Sequence, residues 1–409
     1  MSIDNWNDFA IDPAIRKDKA RAWLDGDRTV NPEGRLTYQT YLGLESLLAS
    51  QTPGTRIPDE RVFIITHQLC ELAFKQMLFD IEVISNTFVS ASLFIRDKGS
   101  SNFYSLDADF WRPALTAAGR LNYTSKQILP AAIGYLNYNP DPTFDSQEFG
   151  LFREKLIPAS GFQSAQFRAV QAALGKRNLL DIQMYPSSFY RKHYQSSETS
   201  AAVSPVDQLI VQSGIPFGSP MDDLIHVFLV TLSDDTIEHT VPKLNASHFD
   251  PALEKLKLGM TKLAGSLQLQ DSFAGDNVAD RMAESFRESL KVVIRTENSR
   301  RKRFSGAGKG FARLITEAPA SPSVAIIRLI RSTDYILHGQ QRNSFLSLHR
   351  RFVSRRIKEV NYYSSETGKP RQTPGTGGGG MPYLDLMHRH LIPLFPALVE
   401  LDSSPVTKK

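Results

Sequence analysis

The chain of 409 residues holds one cysteine, Cys70. No disulfide can form within it. That excludes a disulfide-stapled secreted scaffold and fits a reducing compartment. The opening residues, MSIDNWNDFAIDPAIRKDK, lack the basic start, apolar centre and small-residue cleavage site of a secretory signal. No apolar run approaches the ~20 residues that a membrane span needs. Alternating β patterns are scarce, and no repeat of fixed period appears. There is no cysteine cluster and no HxxxH pair on one apolar helix, which argues against a metal site built directly from side chains. No GK[ST] follows the glycine run near the C-terminus, so a P-loop is excluded. The expectation is a soluble, cytoplasmic protein with no membrane partner.

What is present points to helices. Apolar residues make up 41% and charged residues 22%, ordinary for a chain with a sizeable core. LTYQTYLGLESLLASQ (Leu36 to Gln51) places Tyr38, Tyr41, Leu42, Leu44, Leu47 and Leu48 at helical spacing, with Pro53 and Gly54 as the stop. RVFIITHQLCELAFKQMLFDIEVI (Arg61 to Ile84) predicts a long, largely buried helix. A further helical run follows Ala108, with an interruption expected near Pro113. Asp145 and Glu148 form a capping-box pattern ahead of a short helix that Pro158 ends. From about Pro205 to Gln341 most segments read as amphipathic helices. SRRKRFSGAGKG (Ser299 to Gly310) reads as a basic surface loop, and SSETGKPRQTPGTGGGG as a long loop. The fold class expected is all-α, a single large helical domain over residues 36–409 preceded by an arm over residues 1–35.

Basic residues number 48 against 43 acidic ones, for a net charge of +5. The basic runs SRRKR and HRRFVSRRIK raise the prospect of a nucleic-acid module. Aromatics do not interleave with these runs, and no nucleic-acid-binding motif appears, so no nucleic-acid partner is expected.

Two of the nine histidines stand apart. His67 lies one turn after Phe63 on an apolar helix, so the two side chains share a face. His349 lies one turn after Phe345 and one before Val353, opposite a face carrying Arg350, Arg351, Arg355 and Lys358. Two inner-face imidazoles suit a heme held between helices, one on the iron and one on the far side. They suit two unrelated core histidines as well. Phe149 and Arg153 also lie one turn apart, with Ser160 beyond. Such an arginine either grips a carboxylate by two parallel hydrogen bonds beside an aromatic ring or decorates a surface. PGTGGGG, with Thr376, is either a linker or a loop that closes over an ion.

Four pieces in this order, LTYQTYLGLESLLASQ, FIITHQLCELAFKQ, FREKLIPASGFQSAQFR and PGTGGGG, resemble the tryptophan 2,3-dioxygenase family of histidine-ligated heme oxygenases. The resemblance implies a mostly helical, cytoplasmic homotetramer that binds heme b, O₂ and an aromatic amino acid. By position, His349 looks like the iron ligand and His67 like the distal histidine that meets the indole N–H. Phe63 looks like the wall above the heme, and Arg153 like the carboxylate clamp, with Phe149 beside it. Thr376 looks like the ammonium contact and Ser160 like a small residue at the heme edge. Tyr38 and Tyr41 resemble a pair that enters a neighbouring subunit's pocket.

The sequence departs from the family in places. The tryptophan of the family's ELWFKQ is Ala73 here, and GTGGGGM replaces GTGGSSG. GYLNYNPDPTFDSQ stands where the family has an LETM-like stretch. The reaction that the resemblance implies is L-tryptophan to N-formylkynurenine. The alternative is a related heme mono- or dioxygenase acting on a modified tryptophan, tyrosine or another aromatic substrate.

Overall fold

Gly43 decides how the chain enters the fold. The single helix expected from Leu36 to Gln51 is two, α1 (Tyr38–Leu42) and α2 (Leu44–Ala49). Gly43 breaks them apart at φ 60°, ψ 36°. This left-handed conformation is open to glycine at no steric cost. The computed structural model describes residues 38–137, 152, 164–175, 220–233, 291, 294–295, 298–299, 302–338, 348, 362–363 and 370–371. The proposed arm, residues 1–35, and the helices expected around Asp145 and His349 fall almost wholly outside these.

The predicted long helix, α3, runs over Pro58–Lys98, 41 residues. Pro58 opens it, Asp59 and Glu60 follow in the first turn, and Arg96 and Lys98 lie in the last. Each suits the end it occupies, proline where no N–H is needed and charge against the helix dipole. Cys70, Ala73, Phe74, Met77, Ile81, Ile84, Phe88, Ala91 and Ile95 recur at helical spacing and are buried. Against expectation, α3 is long and apolar enough by composition to cross a membrane, with a window of mean hydropathy 1.4. Its scattered charges interrupt the apolar run, but the apolar residues around them outweigh their effect on that mean. The buried face meets other helices. Within it, Asp80 accepts hydrogen bonds on Oδ1 from Arg120 Nε at 3.0 Å and Nη2 at 2.6 Å.

Arg120 belongs to α4 (Ala108–Tyr123). Asp107 caps its start, accepting from the Phe110 N–H at 2.9 Å. The interruption expected at Pro113 does not occur, and the helix passes through it. The cap and the burial of Trp111, Ala114, Ala117, Ala118 and Leu121 offset the one hydrogen bond the ring removes. A π-helical turn, Thr124–Ile128, leads into α5 (Leu129–Asn137) just ahead of Pro130. A 3-10 helix, Ser100–Ser105, lies between α3 and α4, and four further α-helices are α6 (Ala165–Leu174), α7 (Met221–Thr231), α8 (Ala307–Glu317) and α9 (Pro322–His338).

Helix α3 is the hub. It packs against α4, α5, α6 and α7, while α9 lies on α4 and α8 on α7. Phe88, Trp111 and Phe228 meet at ring separations of 5.2 to 5.6 Å and knit α3, α4 and α7. The fold is all-α. Among the described residues the one strand pairing is β1 (Tyr362–Tyr363) against β2 (Pro370–Arg371), antiparallel.

The basic loop expected from Ser299 to Gly310 is corrected. Ala307 to Gly310 is the first turn of α8, and Phe304, Ala307 and Gly310 are buried. A Cβ on Gly310 would lie 1.7 Å from the Leu229 carbonyl oxygen. The glycine is there so that α8 can approach the α7 backbone.

Candidate functional site

His67 and Phe63 come together as their spacing requires. Their ring centroids are 4.0 Å apart, tilted by 40°. The His67 Nδ1–H donates to the Phe63 carbonyl at 2.7 Å. A carbonyl only accepts, so Nδ1 carries the proton and the neutral ring presents Nε2 as an acceptor. Burial pushes the His67 pKa below its ordinary value. The Phe63 carbonyl and the nearby Glu71 carboxylate oppose that shift without cancelling it. The imidazole is therefore neutral near pH 7 and able to receive an N–H.

Phe63 does not pack into the main core. With Ile57 and Val62 it lies against a separate small cluster of Leu136 and Phe152. The Phe152 ring is fully buried, 5.6 Å from that of Phe63. Phe152 immediately precedes Arg153 in the chain. Sequence reasoning singled out Phe149 and missed Phe152. The apolar residue next to the arginine was the available signal, but its partner on α3 is distant in sequence.

The entry to α3 is held by Glu60. Its carboxylate accepts from the Gly54 N–H at 2.9 Å, the Thr55 N–H at 2.7 Å and the Thr55 hydroxyl at 2.5 Å. Burial works to raise the Glu60 pKa, but these three donors outweigh it and hold the carboxyl below its usual range. Gln51 donates to Gln68 at 2.6 Å, tying the end of α2 beside the turn that carries His67.

One turn beyond His67, Glu71 is gripped from α6. The Gln166 amide donates to the Glu71 backbone oxygen at 3.1 Å and to its carboxylate at 2.9 Å. Ser164 caps α6, accepting from the Phe167 N–H at 3.1 Å, and Phe167 meets Phe74 at 5.1 Å. Ser164, Gln166 and Phe167 belong to FREKLIPASGFQSAQFR, and Glu71 and Phe74 to FIITHQLCELAFKQ; both stretches carry the resemblance, but neither gave a role to Glu71, Gln166 or Phe167.

Tyr38 and Tyr41 are not brought to His67 within the chain. They lie on α1, 76% and 72% exposed. Leu42, Leu47 and Leu48 are exposed beside them, so the apolar positions of α1 and α2 face outward rather than into this chain's core. Phe149, Arg153, Ser160, His349 and Thr376 lie outside the described residues. Leu348, the neighbour of His349, packs against the main core.

No family model matches the chain. It is 31% identical over 170 residues to tryptophan 2,3-dioxygenase of Mus musculus, covering 40% of this chain and 36% of that protein. It is 34% identical over 151 residues to tryptophan 2,3-dioxygenase of Anaeromyxobacter dehalogenans, covering 37% and 48%. With that of Anaeromyxobacter sp. strain K it shares 31% over 175 residues, covering 43% and 57%. The chain thus matches roughly a third to a little over half the length of these relatives, and over that stretch it is similar to the tryptophan 2,3-dioxygenase family.

Proposed function

We propose, from this kinship with tryptophan 2,3-dioxygenases, that the chain is a heme-dependent oxygenase that opens the indole ring of L-tryptophan to N-formylkynurenine. The observation that carries the reading is the His67–Phe63–Phe152 arrangement. It sets an acceptor nitrogen and an aromatic wall on one helix beside the residue that precedes Arg153.

The residues suit heme b. A flat apolar macrocycle needs an apolar wall and one polar atom over its open face. Phe63, with Val62, Leu136 and Phe152 behind it, and Nε2 of His67 have that chemistry. His349 would hold the iron, with Ser160 at the ring edge. When bound, heme supplies the O₂ chemistry.

The protein's part is positioning. Neutral His67 accepts the indole N–H and fixes the ring's orientation. Arg153 pairs with the amino-acid carboxylate through two parallel hydrogen bonds, with Phe149 packed beside the substrate. Thr376 in the glycine loop contacts the ammonium group. Holding the ring by one end and the amino-acid group by the other confines the indole to one pose, which is where rate is gained.

The same reading makes the protein a homotetramer in the cytoplasm, with residues 36–409 as one helical domain. The exposed Tyr38 and Tyr41 would enter a neighbouring copy's pocket. Ala73, buried where the family carries tryptophan, favours one second reading. That reading is a modified tryptophan or another aromatic substrate, with one or two oxygen atoms inserted.

The test is reconstitution with heme, reduction, and exposure to O₂ with a panel of aromatic amino acids, with products identified by mass. His349→Ala should lose the heme spectrum, whereas His67→Ala should keep it and show altered activity or substrate affinity. Arg153→Ala should weaken apparent affinity by roughly 30-fold or more, the scale of a severed buried charge pair. It should also narrow the discrimination against tryptamine. A native spectrum in His349→Ala, or equal handling of tryptophan and tryptamine by the native protein, would overturn the assignment.

A further inference from the structure

Helix α6 packs along α3, and a polar side chain also links it to α9. It carries two glutamines, Gln166 and Gln171, whose separation turns the chain by about 140° at 3.6 residues per turn. They therefore leave the helix on different sides. Gln166 reaches α3, where it grips both the backbone oxygen and the carboxylate of Glu71. Gln171 reaches α9, where its amide donates to Nε2 of His338 at 3.2 Å. His338 in turn donates its Nδ1–H to Asp334 at 2.9 Å.

All three members of this second network are buried, with exposures of 3% for Gln171, 4% for His338 and 6% for Asp334. Each donor meets an acceptor in one consistent direction. With a neutral ring, moving the His338 proton to Nε2 would set two acceptors, Nδ1 and the Asp334 carboxylate, against each other. Three buried polar residues are a costly way to join two helices that leucines would join as well. Their return is a defined distance and rotation between α6 and its neighbours.

Chain connectivity gives that definition a use. Helix α6 directly follows the segment with Arg153 and Ser160, and α9 directly precedes the segment with His349. Glu71 stands one turn from His67 on α3. Motion of α6 relative to α3 would disturb the grip on Glu71, one turn from the distal imidazole. Motion relative to α9 would move the helix that leads to the iron ligand.

Resting on the oxygenase reading above, we propose that α6 is a spacer that sets the register of the site. Gln166 is the positioning residue for the substrate arm, acting through Glu71, and Gln171 is the positioning residue for the heme-ligand arm, acting through His338 and Asp334.

The test compares Gln166→Leu and Gln171→Leu in the full-length, heme-loaded protein. Heme affinity, KM and kcat for L-tryptophan, melting temperature and backbone hydrogen exchange are measured for each. Gln166→Leu should raise KM about tenfold, the equivalent of ~1.4 kcal/mol, with heme affinity unchanged. Gln171→Leu should weaken heme affinity about tenfold and shift the Soret band, with a smaller effect on KM. Exchanging the partners, Glu71→Gln with Gln166→Glu, keeps an amide facing a carboxylate but gives up the bond to the residue-71 backbone oxygen, and should reverse part of the rise in KM. Gln166→Glu alone sets two carboxylates together and should not. If Gln171→Leu fails to fold, Gln171→Asn takes its place, with the same direction expected.

The proposal is overturned if both variants only lower the melting temperature and leave kinetics and heme affinity native, or if both give the same pattern. Should the native protein take up no heme and convert no amino acid, the oxygenase reading fails by itself. Hydrogen exchange then decides the spacer role. Faster exchange confined to the His67–Glu71 turn in Gln166→Leu, and to the last turns of α9 in Gln171→Leu, supports it. Uniform or unchanged exchange refutes it.

Discussion

The imidazole of His67 donates its Nδ1–H to the carbonyl of Phe63, and the two rings meet at 4.0 Å. The bond sets which nitrogen bears the proton, and burial keeps the ring neutral by lowering its pKa. A pH dependence of stability follows. The unfolded chain takes up a proton on this histidine near pH ~6.5, and the folded chain does so only at lower pH. Between the two, the unfolded state binds more protons, so stability falls as pH drops through that window and levels off below the folded pKa. Denaturant midpoints measured from about pH 7.5 down to 5 should fall less steeply for His67→Gln than for the native protein. Equal slopes would show that His67 titrates normally.

Asp80 and Arg120 form an asymmetric pair. Asp80 is wholly buried, while the Arg120 side chain is 47% exposed. Burial raises the Asp80 pKa, and hydrogen bonds from Arg120 and Gln76 with the Arg120 charge oppose this only in part. Arg120→Met leaves a buried carboxylate without its cation and should destabilise by roughly 3 kcal/mol. Asp80→Asn removes the buried charge itself and should cost much less. Because the Asp80 pKa is raised, its contribution is fully present at acid pH and lost as pH rises through the folded value. The Arg120→Met defect should therefore shrink on acidification. A defect that is constant with pH would rule this out.

The thiol of Cys70 lies on the buried face of α3, and burial followed by the Glu71 charge pushes its pKa up to about 12. The nucleophile is the thiolate, so the native protein should resist alkylation at about pH 8 and react fully once unfolded. Labelling of the native protein within minutes would contradict the burial seen.

Glycines separate by what surrounds them. Gly310→Ala would drive a methyl into the Leu229 carbonyl, and either α7 or α8 must shift. The expected loss is roughly 1–3 kcal/mol or more. Gly119, inside α4, has nothing within 4 Å of a built Cβ. Gly119→Ala should stabilise by about 0.4–1 kcal/mol. Thermal melts of the two variants should move in opposite directions.

The helix that carries His67 was legible because its period is local. Spacing of i, i+4 alone places Phe63 and His67 on one face, and both the ring contact and the hydrogen bond follow from it. Phe152, Glu71 and Gln166 were not legible as a site. Each gains its meaning from a partner far away in the chain, and a one-dimensional pattern carries no record of which helix lies opposite. The break at Gly43 and the passage through Pro113 show the same limit at short range. A glycine inside an apolar period can continue a helix or break it, and a proline can end a helix or be carried by cap and burial. Packing, absent from the local pattern, chooses.

By itself the sequence determined the all-α class, the long α3, the shared face of Phe63 and His67, and the motif order that resembles an oxygenase family. These rest on periodicity and residue chemistry, which act within a few turns of chain. Tertiary structure alone decided that Gly310 lies under the α7 backbone and that Phe63 leaves the main core to meet Phe152. It also decided that two glutamines of α6 reach to opposite neighbours. Those outcomes depend on close packing between distant segments, where a single methyl group or hydrogen bond selects among arrangements that the local pattern permits equally.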